Sequence, residues 1–272
     1  MKKITLLTVG LAVATVSTVS TATLAEKNVQ PTVYQQAYAQ YVLQHPDNKD
    51  QSSQVLVKQF TQDYQPLFAA AKKVNQQQFV DFEQAQLTAL MKQRREMSLK
   101  QTYVRYGILD ADKNQKMTLK EFQEIGLKGF AEYDKDQDGI VTENDIKLAA
   151  GNGTATHDGF SVRLPISMPM ANNPAEFIRQ YGQGKSYATL GDYLTGRDKQ
   201  FFATDTDKDL TISEKEYVDE FMQRYDANTV KGMDQMKELS ASKFQTIGKG
   251  KAQIQANDIQ KFAQQVDRAI SQ

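Results

Sequence analysis

Residues 110–121 read DADKNQKMTLKE. Oxygen-bearing side chains fall at alternate positions, Asp110, Asp112 and Asn114; Lys116 offers its backbone carbonyl, Thr118 stands where a side chain or a water completes a shell, and Glu121 closes the set. Spacing of roughly 1, 3, 5, 7, 9 and 12 lets a short loop wrap one hard cation with oxygen atoms at ~2.3–2.6 Å, the last carboxylate binding through both oxygens. The register recurs twice. In 134–145, DKDQDGIVTEND, it gives Asp134, Asp136, Asp138, the Ile140 carbonyl, Thr142 and Asp145. In 205–216, DTDKDLTISEKE, it gives Asp205, Asp207, Asp209, the Thr211 carbonyl, Ser213 and Glu216.

These three segments resemble EF-hand calcium loops. A helix–loop–helix hand needs apolar groups that pack its incoming and outgoing helices together, and the flanks supply them. Tyr106, Phe130 and Phe201 stand four residues before the loops, and Phe122, Ile146 and Tyr217 directly after them. Met117, Val141 and Ile212 hold the eighth position, where paired loops exchange a short β-bridge. The resemblance covers residues 100–262 and implies an all-α fold of helix–loop–helix units that takes Ca2+ as its cofactor.

The departures from that pattern carry information too. The sixth position calls for glycine because the chain turns sharply there; Gly139 complies, while Gln115 and Leu210 do not. A non-glycine residue forced into left-handed geometry costs ~1–2 kcal/mol, or up to about tenfold in affinity, so those two loops are expected to be weakened rather than abolished. The second loop closes with Asp145, whose shorter side chain tilts it toward Mg2+. Two further segments keep the register without the ligands: 181–192, YGQGKSYATLGD, and IGKGKAQIQAND ending at Asp258. Neither is expected to bind calcium. Vestigial loops that fold without metal are the alternative throughout, but three or four carboxylates in one small space repel each other unless a cation is present.

Twelve residues separate the first loop from the second (122–133), and twelve separate Asp192 from Asp205 (193–204). Twelve helical residues span ~18 Å, enough for one helix and cramped for two. Either one helix is shared or Gly126, Gly129 and Gly196 break it. A shared helix would pair the second loop with 181–192 and Asp205–Glu216 with the last segment.

Residues 1–25 begin with Lys2 and Lys3, run through an apolar stretch and end in Thr23-Leu24-Ala25, the pattern of a bacterial-type secretory signal peptide. Export to the periplasm or outside the cell follows, with no membrane attachment after cleavage. Residues 26–100 read as a Gln-rich helical region in which Tyr34, Tyr38 and Tyr41, then Phe79, Phe82, Leu87 and Met91, recur at helical spacing as core-facing stripes. Residues 101–149 hold the first two loops, and 150–175, with three of the six prolines, read as a linker. Residues 176–272 hold one intact hand between two degenerate ones.

The 272 residues balance 33 basic against 33 acidic side chains, which argues against a nucleic-acid partner. With no cysteine, thiolate chemistry, disulfides and cysteine-bound metal are excluded. His45 and His157 read as ordinary surface residues, no nucleophile–base or carboxylate-pair arrangement is identifiable, and no enzyme is expected. The expected function is calcium binding for a structural, buffering or sensing purpose. The rival is a scaffold whose N-terminal helices bind a protein partner that the sequence does not name.

Overall fold

A computed structural model describes residues 31–48, 52–151 and 162–270. In chain order its elements are α1 (Val33–Gln44), α2 (Ser53–Asp63), β1 (Val74–Asn75), α3 (Gln76–Leu109), β2 (Met117–Thr118), α4 (Leu119–Ala131), β3 (Ile140–Val141) and α5 (Glu143–Gly151). They continue as α6 (Pro174–Tyr181), β4 (Ala188–Thr189), α7 (Leu190–Thr204), β5 (Thr211–Ile212), α8 (Glu214–Gly248), β6 (Gln253–Ile254) and α9 (Ala256–Ile270). The chain is mostly helical, as expected of an all-α protein. Among the described residues no helix is long and apolar enough to cross a membrane.

Local sequence sets the helix starts. Asn75, Thr118, Thr189 and Ser213 each accept a hydrogen bond from the backbone N–H three residues on, and Gln78, Glu121, Asp192 and Glu216 answer with their own side chains. Such reciprocal boxes satisfy amides that a helix start leaves unpaired. With no proline inside them, α3 and α8 run on for 34 and 35 residues, about 50 Å each.

The strands pair antiparallel in a nested order: Val74 opposite Ile254, Met117 opposite Ile212, and Ile140 opposite Thr189. Every pair is centred on residues 164–165. The chain therefore folds back on itself there, α3 lies antiparallel to α8, and three paired tiers of loops follow one another. Arg95 clamps Asp226 with two 2.7 Å hydrogen bonds between the long helices.

Four apolar clusters follow the same order. Tyr41, Phe60, Phe79, Phe244 and Phe262 fill the β1·β6 end, where α1 and α2 pack against α9. Leu87, Met91, Met222 and Met236 pack between the long helices. Met117, Phe122, Phe201 and Ile212 sit under the β2·β5 bridge, and Phe130, Val141, Phe177 and Ala188 under β3·β4.

Several expectations change here. The boundary at residue 100 falls inside α3, and the N-terminal helices share their core with the C-terminal one. Gly126, Gly129 and Gly196 do not break their helices: α4 and α7 are continuous, so each is shared between two loops. The second loop does pair with 181–192. Asp205–Glu216, however, pairs with the first loop and not with the last segment, because the length of α8 puts that segment about 50 Å away. Where described, the linker is anchored at its middle: Leu164 and Ile166 are buried, and their backbone lies on Gly232, where a Cβ would meet Pro165 O at 2.6 Å. His45 is half-buried and bonds Asp63 through Nε2 at 2.8 Å. The signal segment, His157 and residues 152–161 lie outside the described residues.

Candidate metal centres

The three acidic loops share one backbone path. In each, the fourth and sixth residues have positive φ: Lys113 at 61° and Gln115 at 65°, Gln137 at 61° and Gly139 at 86°, Lys208 at 61° and Leu210 at 69°. The two degenerate loops differ, turning at their third and fourth residues, Gln183 and Gly184, then Lys249 and Gly250. Left-handed geometry costs a side-chain-bearing residue ~1–2 kcal/mol. Leu210, 68% exposed, has little packing to lose. Leu210→Gly should therefore stabilise the fold by a net ~0.5–1 kcal/mol in urea unfolding, after glycine's ~0.5–1 kcal/mol entropy cost is subtracted. A destabilised variant would show that the Leu210 side chain is packed after all.

Each loop gathers three carboxylates at its first, third and twelfth positions. Asp110, Asp112 and Glu121 bring oxygens within 4.8 Å of one another, as do Asp134, Asp136 and Asp145, and Asp205, Asp207 and Glu216. The closing carboxylate spans its loop. Glu121 accepts from Ala111 N at 2.9 Å with one oxygen and from Thr118 N at 2.8 Å with the other; Glu216 does the same with Thr206 N at 2.8 Å and Ser213 N at 2.9 Å. Asp145, one carbon shorter and fully buried, still makes both connections, to Lys135 N at 2.6 Å and Thr142 N at 2.7 Å.

Residues at the fifth position do something else. Asn114, Asp138 and Asp209 each accept a 2.8 Å hydrogen bond from the backbone N–H two residues on, at Lys116, Ile140 and Thr211 respectively. Those three seventh-position residues enter or adjoin the β-bridges, and Lys116 Nζ reaches Asp209 across the paired loops at 3.7 Å.

Burial pushes the Glu216 carboxyl up, but hydrogen bonds from Ser213 and Thr206 outweigh it and hold the group down at about 2. Glu121 is likewise held below the usual carboxylate range, burial opposing and the bonds from Thr118, Asp112 and Ala111 prevailing. Both closing residues are anions at neutral pH. Asp205 is only 4% exposed, and its Oδ1 has no hydrogen-bond partner. A buried, unpartnered carboxylate oxygen is costly unless a cation meets it. The oxygen-only donor sets fit a hard cation of the calcium or magnesium class.

The degenerate loops are closed by their own ammonium groups. Lys185, at the fifth position, contacts Asp192 at 2.6 Å, and Lys251, at the same position, contacts Asp258 at 3.3 Å. Each lysine supplies the positive charge that the closing carboxylate needs. The Lys185 contact, with the Thr189 hydrogen bonds, lowers the Asp192 carboxyl from 3.8 to about 2. A depressed folded-state pKa gives stabilisation that is present above the ordinary value and lost as pH falls through the folded one, here from about 4 down to about 2. Lys185→Met should move the Asp192 titration, followed by carboxyl-carbon NMR, back toward the ordinary range; an unmoved pKa would assign the whole depression to Thr189.

The strand pairing brings out a sixth loop. Residues 67–78 present Val74 at the eighth position and the Asn75–Gln78 capping box at the ninth and twelfth, with Phe79 following, opposite the last degenerate loop. It carries no acid at all. Its trace in the sequence is Asn75-x-x-Gln78-Phe79, in register with Thr118-x-x-Glu121-Phe122.

No family model, curated protein or solved structure matches the chain.

Proposed function

We propose that this is an exported EF-hand calcium-binding protein in which Asp110–Glu121, Asp134–Asp145 and Asp205–Glu216 hold the ions. The observation that carries this reading is the buried Asp205 Oδ1, unpartnered within a cluster of carboxylates whose closing member stays ionised. The shared left-handed turns of the acidic loops support it, because that path belongs to those three loops and not to the two degenerate ones.

In each loop the first, third and twelfth side chains would supply the carboxylates, with Asn114, Asp138 and Asp209 and the carbonyls of Lys116, Ile140 and Thr211 completing the sets. A bound divalent cation supplies charge neutralisation, letting the carboxylates stay together without repulsion. Affinity should rank by charge. The first loop offsets its three acids with Lys113, Lys116 and Lys120, so it is the weakest. With Asp145 closing it, the second accepts magnesium most readily. Extracellular modules bind calcium at ~10⁻⁴–10⁻³ M, a range suited to sites that stay filled and hold the tiers together. No catalytic role is proposed.

The scaffold reading would need a partner surface on the N-terminal helices other than their aromatic stripe. The aromatic stripe of α1 and α3 faces inward: Tyr41 and Phe79 are buried, and Tyr34 Oη donates to Gln265 at 2.9 Å. A calorimetric calcium titration of the chelator-stripped protein, with magnesium competition and helix content followed by circular dichroism, tests the proposal. Saturable binding at three sites supports it; no heat and no spectral change up to millimolar calcium sinks it.

A further inference from the structure

A cavity of about 500 Å³ opens between the β2·β5 and β3·β4 tiers, and no carboxylate of the three loops lines it. Its walls are aromatic. Phe122 and Tyr193 are buried at its base, while Tyr181, Tyr217 and Phe221 stand half-buried around it. Ile108 and Met170, 63% and 61% exposed, place apolar surface at its mouth.

Its charge is one-sided. Arg105, Arg197 and Arg224 line the cavity against a single acid, Glu132. Arg197 lies on Gly126, where a side chain would collide with it, and stacks on Phe122 at 4.0 Å and near Tyr193 at 5.8 Å. Its Nη2 donates to the Phe122 carbonyl, and no carboxylate meets it among the described residues. Arg105 and Arg224 approach the Phe221 ring at 5.9 and 5.6 Å. Arg224 is neutralised by Glu220, through bonds of 2.9 and 3.2 Å; Arg105 has no carboxylate partner among the described residues. Two uncompensated guanidinium groups thus border an aromatic hollow.

Aromatic rings offer an apolar body contact area and stacking, and a guanidinium offers planar, two-pronged hydrogen bonding to a carboxylate or sulfonate. A cavity of ~300–1,000 Å³ suits a small organic molecule. We propose that this cavity is a binding site for a small organic anion with an aromatic body, its carboxylate or sulfonate facing Arg105 and Arg197 and its rings lying among Phe122, Tyr193 and Phe221. This goes beyond metal binding and uses none of the loop carboxylates.

Two fluorescent dyes of matched shape test it: the anionic 8-anilinonaphthalene-1-sulfonate and the uncharged N-phenyl-1-naphthylamine, titrated into the folded protein in calcium and in chelator. The anion should bind at one saturable site and at least about tenfold more tightly than the neutral dye, the contribution expected of one good ion pair. Arg105→Gln removes an exposed side chain, so folding is not at risk, and it should weaken the anion about five- to tenfold while leaving the neutral dye unchanged. Met170→Glu, at the exposed mouth, should weaken the anion selectively in the same way. Equal affinities for the two dyes, several equivalent sites, or an anion indifferent to both substitutions would overturn the assignment. A loss of calcium binding with dye selectivity intact would overturn the metal reading alone.

Discussion

Glu216→Gln should weaken calcium at Asp205–Glu216 by about a hundredfold and, through the β-bridge, weaken the Asp110–Glu121 loop as well, while leaving Asp134–Asp145 untouched. The amide keeps the size of the side chain and an oxygen that can accept from Ser213 N, so α8 still starts where it does. What is lost is one charge among three crowded carboxylates, on the order of 3 kcal/mol when a closely held charge partner is removed. The spread to the first loop follows from packing: Met117 and Ile212, opposite each other in the bridge, are both fully buried, so one loop cannot shift without the other. Coupling between sites of this kind is worth ~1–3 kcal/mol, about five- to 150-fold. The Asp134–Asp145 loop is bridged instead to the loop closed by Lys185, so the change at Glu216 has no bridge through which to reach it. Calorimetry on the variant, with the sites separated by magnesium competition, reads all three effects. A uniform loss at every loop would contradict the tiered pairing.

Lys243→Met should cost ~3–5 kcal/mol of folding stability without touching calcium at the central tier. Lys243 Nζ is buried and donates to Glu83 at 2.7 Å and to Gln40 at 2.8 Å, while the Tyr64 hydroxyl donates to the same carboxylate. Glu83 is fully buried, so without the ammonium it becomes a charge with no counter-ion in the aromatic core that joins α1, α3 and α8. Lys243→Met with Glu83→Gln removes both charges at similar volume, keeps an acceptor for Tyr64, and should recover most of the loss. Urea unfolding of the single and double variants measures the difference. Lys243 stands 27 residues along α8 from Glu216, about 40 Å, so the calcium midpoints should stay in place. A double variant as unstable as the single one would show that the lysine matters by packing and not by charge.

The acidic loops were legible in the sequence because all the carboxylates of each cluster are local: a twelve-residue register brings them together before any tertiary contact is known. Helix starts were legible for the same reason, since Thr118–Glu121 and Ser213–Glu216 cap helices by bonds three residues long. What lay between distant segments was not legible. The eighth position is apolar in all the loops, so nothing in Met117 distinguishes Ile212 as its partner from Ile254. The loop at 67–78 has no acid, so only the Asn75-x-x-Gln78-Phe79 echo marks it in sequence, and the pairing of Val74 with Ile254 is what defines it. Lys185 and Lys251 looked like lost ligands, because only the geometry shows each ammonium reaching the closing carboxylate. The proline-rich stretch near 165 reads as a linker in sequence because its anchoring depends on Gly232, some 67 residues away. Likewise, the long arginine side chains of α3, α7 and α8 gave no sign in sequence that they would meet around one aromatic hollow.

The count of bound calcium ions, taken by native mass spectrometry on the chelator-stripped and calcium-saturated protein, tests the central claim most directly. The account predicts a limit of three ions for the native chain and two for Asp134→Asn with Asp145→Asn, with the lysine-closed loops and the acid-free loop adding none. A limit of zero, or a native count that those two substitutions leave unchanged, would contradict it.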